Sequence, residues 1–210
     1  MIFHAKLKNS FCLLLFAFCF QLTGIAQQQF KVEDAPRFVY QTSISSVYGV
    51  GKLYANTDTF PNANFSLEIQ QVIAYQFNRY FFTGIGVGLD FWFYDKKTSA
   101  FIPFYANATV KFMSHKLAPF LFVNAGYAFK WQAQKKLEDN IFYGTKAGLF
   151  FQTGVGFNIK FSEQLSLLLS PYYKLQQSAI QFREAGGELL LAETKNQLFH
   201  FLGVRIALLY

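Results

Sequence analysis

The chain contains 210 residues, of which 15% are charged, 52% are hydrophobic and 20% are aromatic, and its formal net charge is +7. Soluble domains carry about 25% charged residues, so this chain has too little polar surface to cover a water-soluble globule. Disorder is excluded as well, because it requires low hydrophobicity and high net charge. The aromatic side chains must therefore occupy either an unusually large core or a surface that faces lipid.

Residues 1–26 are typical of a cleaved secretory signal peptide. A basic start with Lys6 and Lys8 precedes an apolar run over residues 11–20, and small residues lead up to a candidate cleavage site after Ala26. The apolar run is about half as long as a membrane-spanning helix requires, which favours cleavage over a retained anchor. We therefore assign residues 1–26 to the signal peptide and residues 27–210 to the mature domain.

Cleavage would change the chemistry available to the mature chain. Both cysteines, Cys12 and Cys19, leave with the signal peptide, so we expect no disulfide, thiol nucleophile or thiolate metal site. Losing Lys6 and Lys8 lowers the formal net charge from +7 to +5, an excess too modest to indicate nucleic-acid binding.

The mature chain alternates between large apolar residues and polar or small ones. This period of two predicts β-strands, and the lengths meet or exceed the roughly 9–11 residues of a tilted membrane strand. The eight predicted strands cover residues 38–53, 65–77, 81–93, 101–113, 119–131, 143–161, 165–175 and 197–210. Their connections are alternately short and long, as expected of an up-and-down outer-membrane barrel with both termini in the periplasm.

Charged residues in the predicted strands follow the polar phase, with Lys52 as the exception at the outer end of the first strand. A cation facing lipid at mid-bilayer costs about 2–4 kcal/mol, so this phase must face the lumen. We predict that packing ion pairs fill the lumen; a gate or a narrow anion-preferring path is the alternative. The predicted lumen charges are Glu68, Asp90, Lys111, Lys130, Lys146, Lys174 and Arg205.

Aromatic residues on the apolar phase collect near the two ends of the strands. Phe38 and Tyr40 fall near the predicted periplasmic rim, and Phe129 and Trp131 fall near the outer rim. Such belts are typical of membrane–water boundaries.

The last strand resembles the C-terminal targeting strand of outer-membrane proteins, through Phe201, Gly203, Arg205 and the terminal Tyr210. With the repeated pattern of residues 119–127 and 152–157, it is similar to the eight-stranded outer-membrane β-barrel family, which includes OmpA/OmpX-like and PorT-like barrels of Gram-negative bacteria. The resemblance implies an all-β, eight-stranded antiparallel up-and-down transmembrane barrel in the outer membrane. It also implies contact with membrane lipid, lipopolysaccharide and the barrel-insertion machinery, and a monomer.

The resemblance carries over no active-site residues, and we expect a structural, adhesive or accessory envelope role without catalysis, cofactor or metal. The alternative is an enzyme that modifies lipid A, since a base, a hydroxyl and a carboxylate can support acyl transfer. The candidates for that site are His200, the serines Ser43, Ser45 and Ser46, and the loop carboxylates Glu188 and Glu193.

Overall fold

The computed structural model describes residues 36–55, 58–62, 65–94, 97–131, 141–142, 148–162, 164–182 and 193–210. No helix in these ranges is long and apolar enough to cross a membrane. The predicted signal peptide lies outside the described residues. The described strands are β1 (Arg37–Val50), β2 (Lys52–Ala55), β3 (Asp58–Pro61), β4 (Phe65–Asn78), β5 (Phe81–Tyr94), β6 (Lys97–Lys111), β7 (Leu117–Lys130), β8 (Ile141–Phe142), β9 (Gly148–Lys160), β10 (Ser166–Phe182) and β11 (Glu193–Leu209).

Eight of these strands close into one antiparallel barrel. Each pairs with the next in the order β1, β4, β5, β6, β7, β9, β10 and β11, and β11 pairs back with β1. Following paired residues once around from Tyr40 leads back to β1 at Val50, ten residues further along. Closure of tilted strands requires such a stagger. The predicted fold class, an eight-stranded antiparallel up-and-down barrel, is confirmed.

The two ends of the barrel differ. At the turn end, tight turns join β4 to β5, β6 to β7 and β9 to β10, and the opposite, loop end carries the other connections. The prediction of a long connection between residues 93 and 101 is wrong, because β5 continues to Tyr94 and β6 starts at Lys97, so that two residues join them. In the first turn, Asn78 Oδ1 accepts hydrogen bonds from the backbone N–H groups of Tyr80 (2.8 Å) and Phe81 (3.0 Å), which is a common role for Asn in turns. β1 begins and β11 ends at the turn end, where the backbones of Tyr40 and Tyr210 exchange hydrogen bonds of 2.7 and 2.9 Å.

The first long connection contains the hairpin of β2 and β3. β1 ends at Val50 because Gly51 takes a φ of 84°, in the left-handed region that glycine enters readily. Beyond the hairpin, Asn62 Nδ2 donates to the backbone oxygens of His200 (2.8 Å) and Val50 (3.3 Å). The predicted end of the first strand at residue 53 is wrong, because β1 stops at Val50. Lys52 belongs to β2 and is separated from β1 by Gly51.

Other predicted strand boundaries shift as well. β10 continues to Phe182 and β11 starts at Glu193, so the predicted limits at residues 175 and 197 were too short. The polar run 176–178 interrupts the apolar alternation, but Gln176 is buried inside the barrel wall. β9 starts at Gly148, and residues 143–147, which include the predicted lumen residue Lys146, lie outside the described residues.

Inward and outward side chains alternate along the barrel strands. Outward residues are large, apolar and exposed: Ile85 is 72% exposed and Phe38 is 67% exposed, whereas the inward residues Phe82 and Trp92 are fully buried. Soluble monomers rarely expose contiguous apolar patches larger than a few hundred Å². An outer face of this kind, continued around a closed barrel, is suited to a lipid environment.

Candidate functional site in the lumen

Three charged side chains from different strands meet in the lumen. Lys174 Nζ on β10 lies 2.6 Å from Glu68 Oε1 on β4 and 2.6 Å from Asp90 Oδ2 on β5. Glu68 and Asp90 are direct partners in the β4–β5 register, so both carboxylates project inward at the same level. All three side chains are at most 1% exposed. The structure therefore brings three of the seven predicted lumen charges into one buried ion cluster.

Uncharged polar side chains extend this cluster. The second Glu68 oxygen, Oε2, accepts hydrogen bonds from Tyr172 OH (2.7 Å), Gln152 Nε2 (3.1 Å) and Gln70 Nε2 (3.3 Å). Gln152 Oε1 in turn accepts from Asn124 Nδ2 at 2.9 Å. Buried polar groups are tolerated when they are hydrogen-bonded in this way.

The chain of hydrogen bonds continues to β6, where Asn107 Nδ2 donates to Asn124 Oδ1 at 2.7 Å and Tyr105 OH donates to Gln70 Oε1 at 3.2 Å. The whole set is called the cross-lumen network, and it links β4, β5, β6, β7, β9 and β10. Its members are Glu68, Gln70, Asp90, Tyr105, Asn107, Asn124, Gln152, Tyr172 and Lys174.

Four fully buried rings cover the loop side of the ion cluster and are called the aromatic roof. The Trp92 ring lies 4.7 Å from that of Phe101, 5.2 Å from Phe199 and 4.9 Å from Phe201, measured between centroids. Lys174 Nζ lies 5.8 Å from the Trp92 ring and 5.9 Å from the Phe201 ring, which is within the range of cation–π attraction. The roof therefore both blocks the lumen and contacts its buried cation.

Arg205 lies on the turn side of the network, on β11. The centre of its guanidinium group is 3.4 Å from the centroid of the Phe122 ring, and its side chain is 2% exposed. Glycine makes this packing possible: a Cβ atom on Gly154 would lie 2.6 Å from Phe122 Cε1 and 2.5 Å from the backbone oxygen of Pro171.

Two further predicted lumen charges, Lys111 and Lys130, lie apart from the cluster. Lys111 is half-buried near the turn end, with Nζ 5.6 Å from the centroid of the Phe82 ring. Lys130 is half-buried near the loop end, on the same inward phase as Asn124.

The aromatic roof was not predicted from the sequence, because the inward phase was expected to be polar or small. The signal was present, since Phe199 and Phe201 share the phase of Arg205.

No protein-family model matches the sequence, and no curated protein matches it. Among solved structures, the outer membrane protein AlkL, studied by solid-state NMR in DMPC lipid bilayers, aligns with a TM-score of 0.53 at 13% identity over 87% of this chain and 93% of that one. Neisserial surface protein A (NspA) gives 0.51 at 10% identity, over 84% and 98% of the two chains. OprG from Pseudomonas aeruginosa gives 0.53 at 8% identity, over 87% and 98%.

The chain has the fold of an eight-stranded outer-membrane β-barrel. At these identities the likeness establishes the fold alone. The expected resemblance to eight-stranded outer-membrane barrels is confirmed at that level.

In this outer-membrane barrel fold, the described histidine and serines proposed for an enzyme do not meet. His200 is on the outward phase and its Nδ1 is hydrogen-bonded to Tyr173 OH, whereas Ser43 and Ser45 are buried on the inward phase. Ser46 faces outward but pairs with Val204, four residues along β11 from His200, which corresponds to about 13 Å.

The two candidate carboxylates cannot be placed against His200. Glu188 and the side chain of Glu193 lie outside the described residues. Among the residues that are described, no three or more histidine, cysteine, aspartate or glutamate side chains group to hold a metal ion.

Proposed function

We propose that the protein is an outer-membrane barrel with a closed lumen and a structural, adhesive or accessory envelope role, and that it performs no catalysis. In this proposal residues 1–26 are cleaved during export, the monomeric barrel contacts membrane lipid and lipopolysaccharide, and the loop end faces outward. The observation that supports it most directly is the ion cluster of Lys174, Glu68 and Asp90, which spans the lumen with its charged groups at most 1% exposed.

The buried cluster argues against a water-filled path. An eight-stranded barrel is just wide enough for side chains to fill, and a hydrated path would leave inward charges in contact with water. Here the cross-lumen network occupies the middle of the lumen, and the aromatic roof closes its loop side with rings of Trp92, Phe199 and Phe201 that are 0% exposed. The lumen is therefore better suited to holding the barrel rigid than to conducting ions.

Planar-bilayer recordings of the purified protein test the closed lumen. We expect no steady conductance from the wild type. The double variant Trp92→Ala/Phe201→Ala removes half of the roof and is expected to show ion flow or flickering openings. The matched control Leu202→Ala truncates a residue on the same strand that faces outward, and we expect it to stay silent. A steady anion-selective current through the wild type would overturn the proposal and favour the narrow-channel alternative.

The C-terminal strand is proposed as the segment read by the barrel-insertion machinery. In the structure Phe201 lies in the roof, Arg205 in the lumen and Tyr210 at the turn end, where its ring stacks on Tyr40 at 6.1 Å. Deleting Tyr210 should lower the amount of folded barrel in the outer membrane of an expressing strain. The same variant should still refold from denaturant in detergent, because only the assembly step needs the signal; equal assembly in cells would contradict this role.

A further inference from the structure

Arg205 is a buried cation surrounded by short side chains. Its partner residues on the two neighbouring strands are Ser45 on β1 and Ser170 on β10, and the inward positions on either side along β11 are Gly203 and Ala207. The guanidinium group therefore reaches into the lumen past small neighbours, with only 2% of its side chain exposed.

Packing fixes the orientation of this group. One face of the guanidinium lies on the Phe122 ring, 3.4 Å from its centroid. The five N–H donors of arginine lie in the plane of the guanidinium, so a guanidinium packed this closely on a ring points its donors away from the ring. This is the geometry in which arginine binds planar or compact anions through two parallel hydrogen bonds.

The donors have no acceptor in the part of the chain that the structure describes. Arg205 Nε, Nη1 and Nη2 are all buried without a hydrogen-bond partner, and Ser170 Oγ on the neighbouring strand is in the same condition. Lys174 differs in this respect, because it contacts a carboxylate on each of two strands. A buried charge is normally paired and hydrogen-bonded, since removing it from water is otherwise costly.

Among the described residues, no carboxylate fills this role. The two that are buried in the lumen, Glu68 and Asp90, are both bound to Lys174. The four fully buried charges of the described residues therefore balance, with Lys174 and Arg205 against Glu68 and Asp90. Their contacts are uneven, because both carboxylates bind Lys174 and the donors of Arg205 have no acceptor. A water molecule would supply an acceptor without a charge, whereas a small anion would supply both.

We propose that Arg205 and Ser170 form a binding site for a small inorganic anion inside the barrel. The guanidinium supplies two parallel N–H donors and the charge, and the Ser170 hydroxyl supplies one further donor. Phe122 holds the guanidinium plane. The site does not depend on the proposed function, because a closed barrel can contain a bound ion or lack one.

Bromide is a suitable probe, because it is small and scatters X-rays anomalously. The full mature barrel would be refolded in detergent in sodium bromide or in sodium gluconate at equal ionic strength, and its unfolding temperature read from the heat-dependent gel shift. We expect bromide to raise this temperature by about 3 °C or more, with saturation as the concentration increases. Crystals grown in bromide should show one anomalous peak within hydrogen-bond distance of the Arg205 nitrogens.

Variants separate this site from general salt effects. Arg205→Met keeps an unbranched side chain but removes the charge and the donors, and should abolish the bromide dependence. Ser170→Ala should weaken it several-fold. The control Lys116→Met removes an exposed lysine at the turn end and should leave it unchanged. If Arg205→Met does not fold, Arg205→Lys keeps the charge without the paired donors and should shift saturation to higher bromide.

Two results would overturn the site. Wild-type barrel with no saturable bromide effect and no anomalous peak would mean that water alone satisfies Arg205. A bromide effect that persists in Arg205→Met or Arg205→Lys at the same concentration would place the ion elsewhere. Neither result bears on the bilayer recordings, so failure of this site and failure of the closed-lumen proposal are distinguishable.

Discussion

Lys174 contacts two carboxylates inside the lumen, and all three side chains are at most 1% exposed. With Glu68 and Asp90 each 2.6 Å from its Nζ, Lys174→Met would leave two buried carboxylates next to each other without a cation. Breaking a buried pair by removing one partner costs about 3–5 kcal/mol. We expect a loss of that size in the free energy of unfolding, measured by urea titration in lipid vesicles.

The triple variant Lys174→Met/Glu68→Gln/Asp90→Asn provides the control for this prediction. It removes all three charges together, and replacing a complete buried ion cluster is often neutral, so it should recover much of the stability lost in Lys174→Met. If the single variant were as stable as the wild type, the ion cluster would not hold the lumen together.

His200 tests the enzyme alternative at the same scale. Its Nδ1 is hydrogen-bonded to Tyr173 OH on the outward face, and no serine of the candidate set is near it among the described residues. In a strain whose only copy of the gene carries His200→Ala, the acyl pattern of lipid A should therefore be the same as in the wild type, as measured by mass spectrometry. An acyl pattern that changes on deletion of the gene and again in His200→Ala would contradict a non-catalytic role.

At the scale of the element, a side chain that directly follows the hairpin of β2 and β3 contacts two strands of the barrel. Asn62 Nδ2 bonds to backbone oxygens of Val50 on β1 and His200 on β11, so it fastens the first connection across the seam where the barrel closes. Asn62→Ala should speed proteolytic cleavage within residues 51–64 several-fold, because local opening limits such cleavage. The unfolding temperature of the barrel should change little; unchanged cleavage would mean that other contacts hold the hairpin.

Alternation within one strand predicts which phase of that strand faces inward. It identified Glu68, Asp90, Lys174 and Arg205 as lumen residues, and all four are buried there. The ends of strands were less predictable. The positive φ of Gly51 ends β1, although the residues on both sides of it have the composition of a strand. β10 and β11 extend past their apolar stretches into polar residues. The alternation of apolar residues therefore underestimates the length of both strands.

At the scale of the whole molecule, the ten-residue stagger between Tyr40 and Val50 decides which inward residues meet. Lys174 and Glu68 are 106 positions apart, and their phases alone do not place them at one level. The register across every strand does so. For this reason the sequence predicted a charged lumen but not the cross-lumen network. The unpaired N–H donors of Arg205 could likewise be identified only from the closed barrel.

The outer surface of the closed barrel provides the test of its environment. Ile44 is midway along β1, points outward and is 59% exposed, whereas Phe161 lies at the turn end, just beyond β9, and is 62% exposed. In a bilayer, Ile44→Lys should lower the free energy of unfolding by about 2–4 kcal/mol, and Phe161→Lys by about 1 kcal/mol or less, because the cost of a cation falls toward the interface. Both would be measured by urea titration in vesicles. In water, both substitutions would increase polar surface at little cost, so equal stabilities for the two variants, or a wild-type barrel that stays dissolved without detergent, would show that this apolar face does not contact lipid.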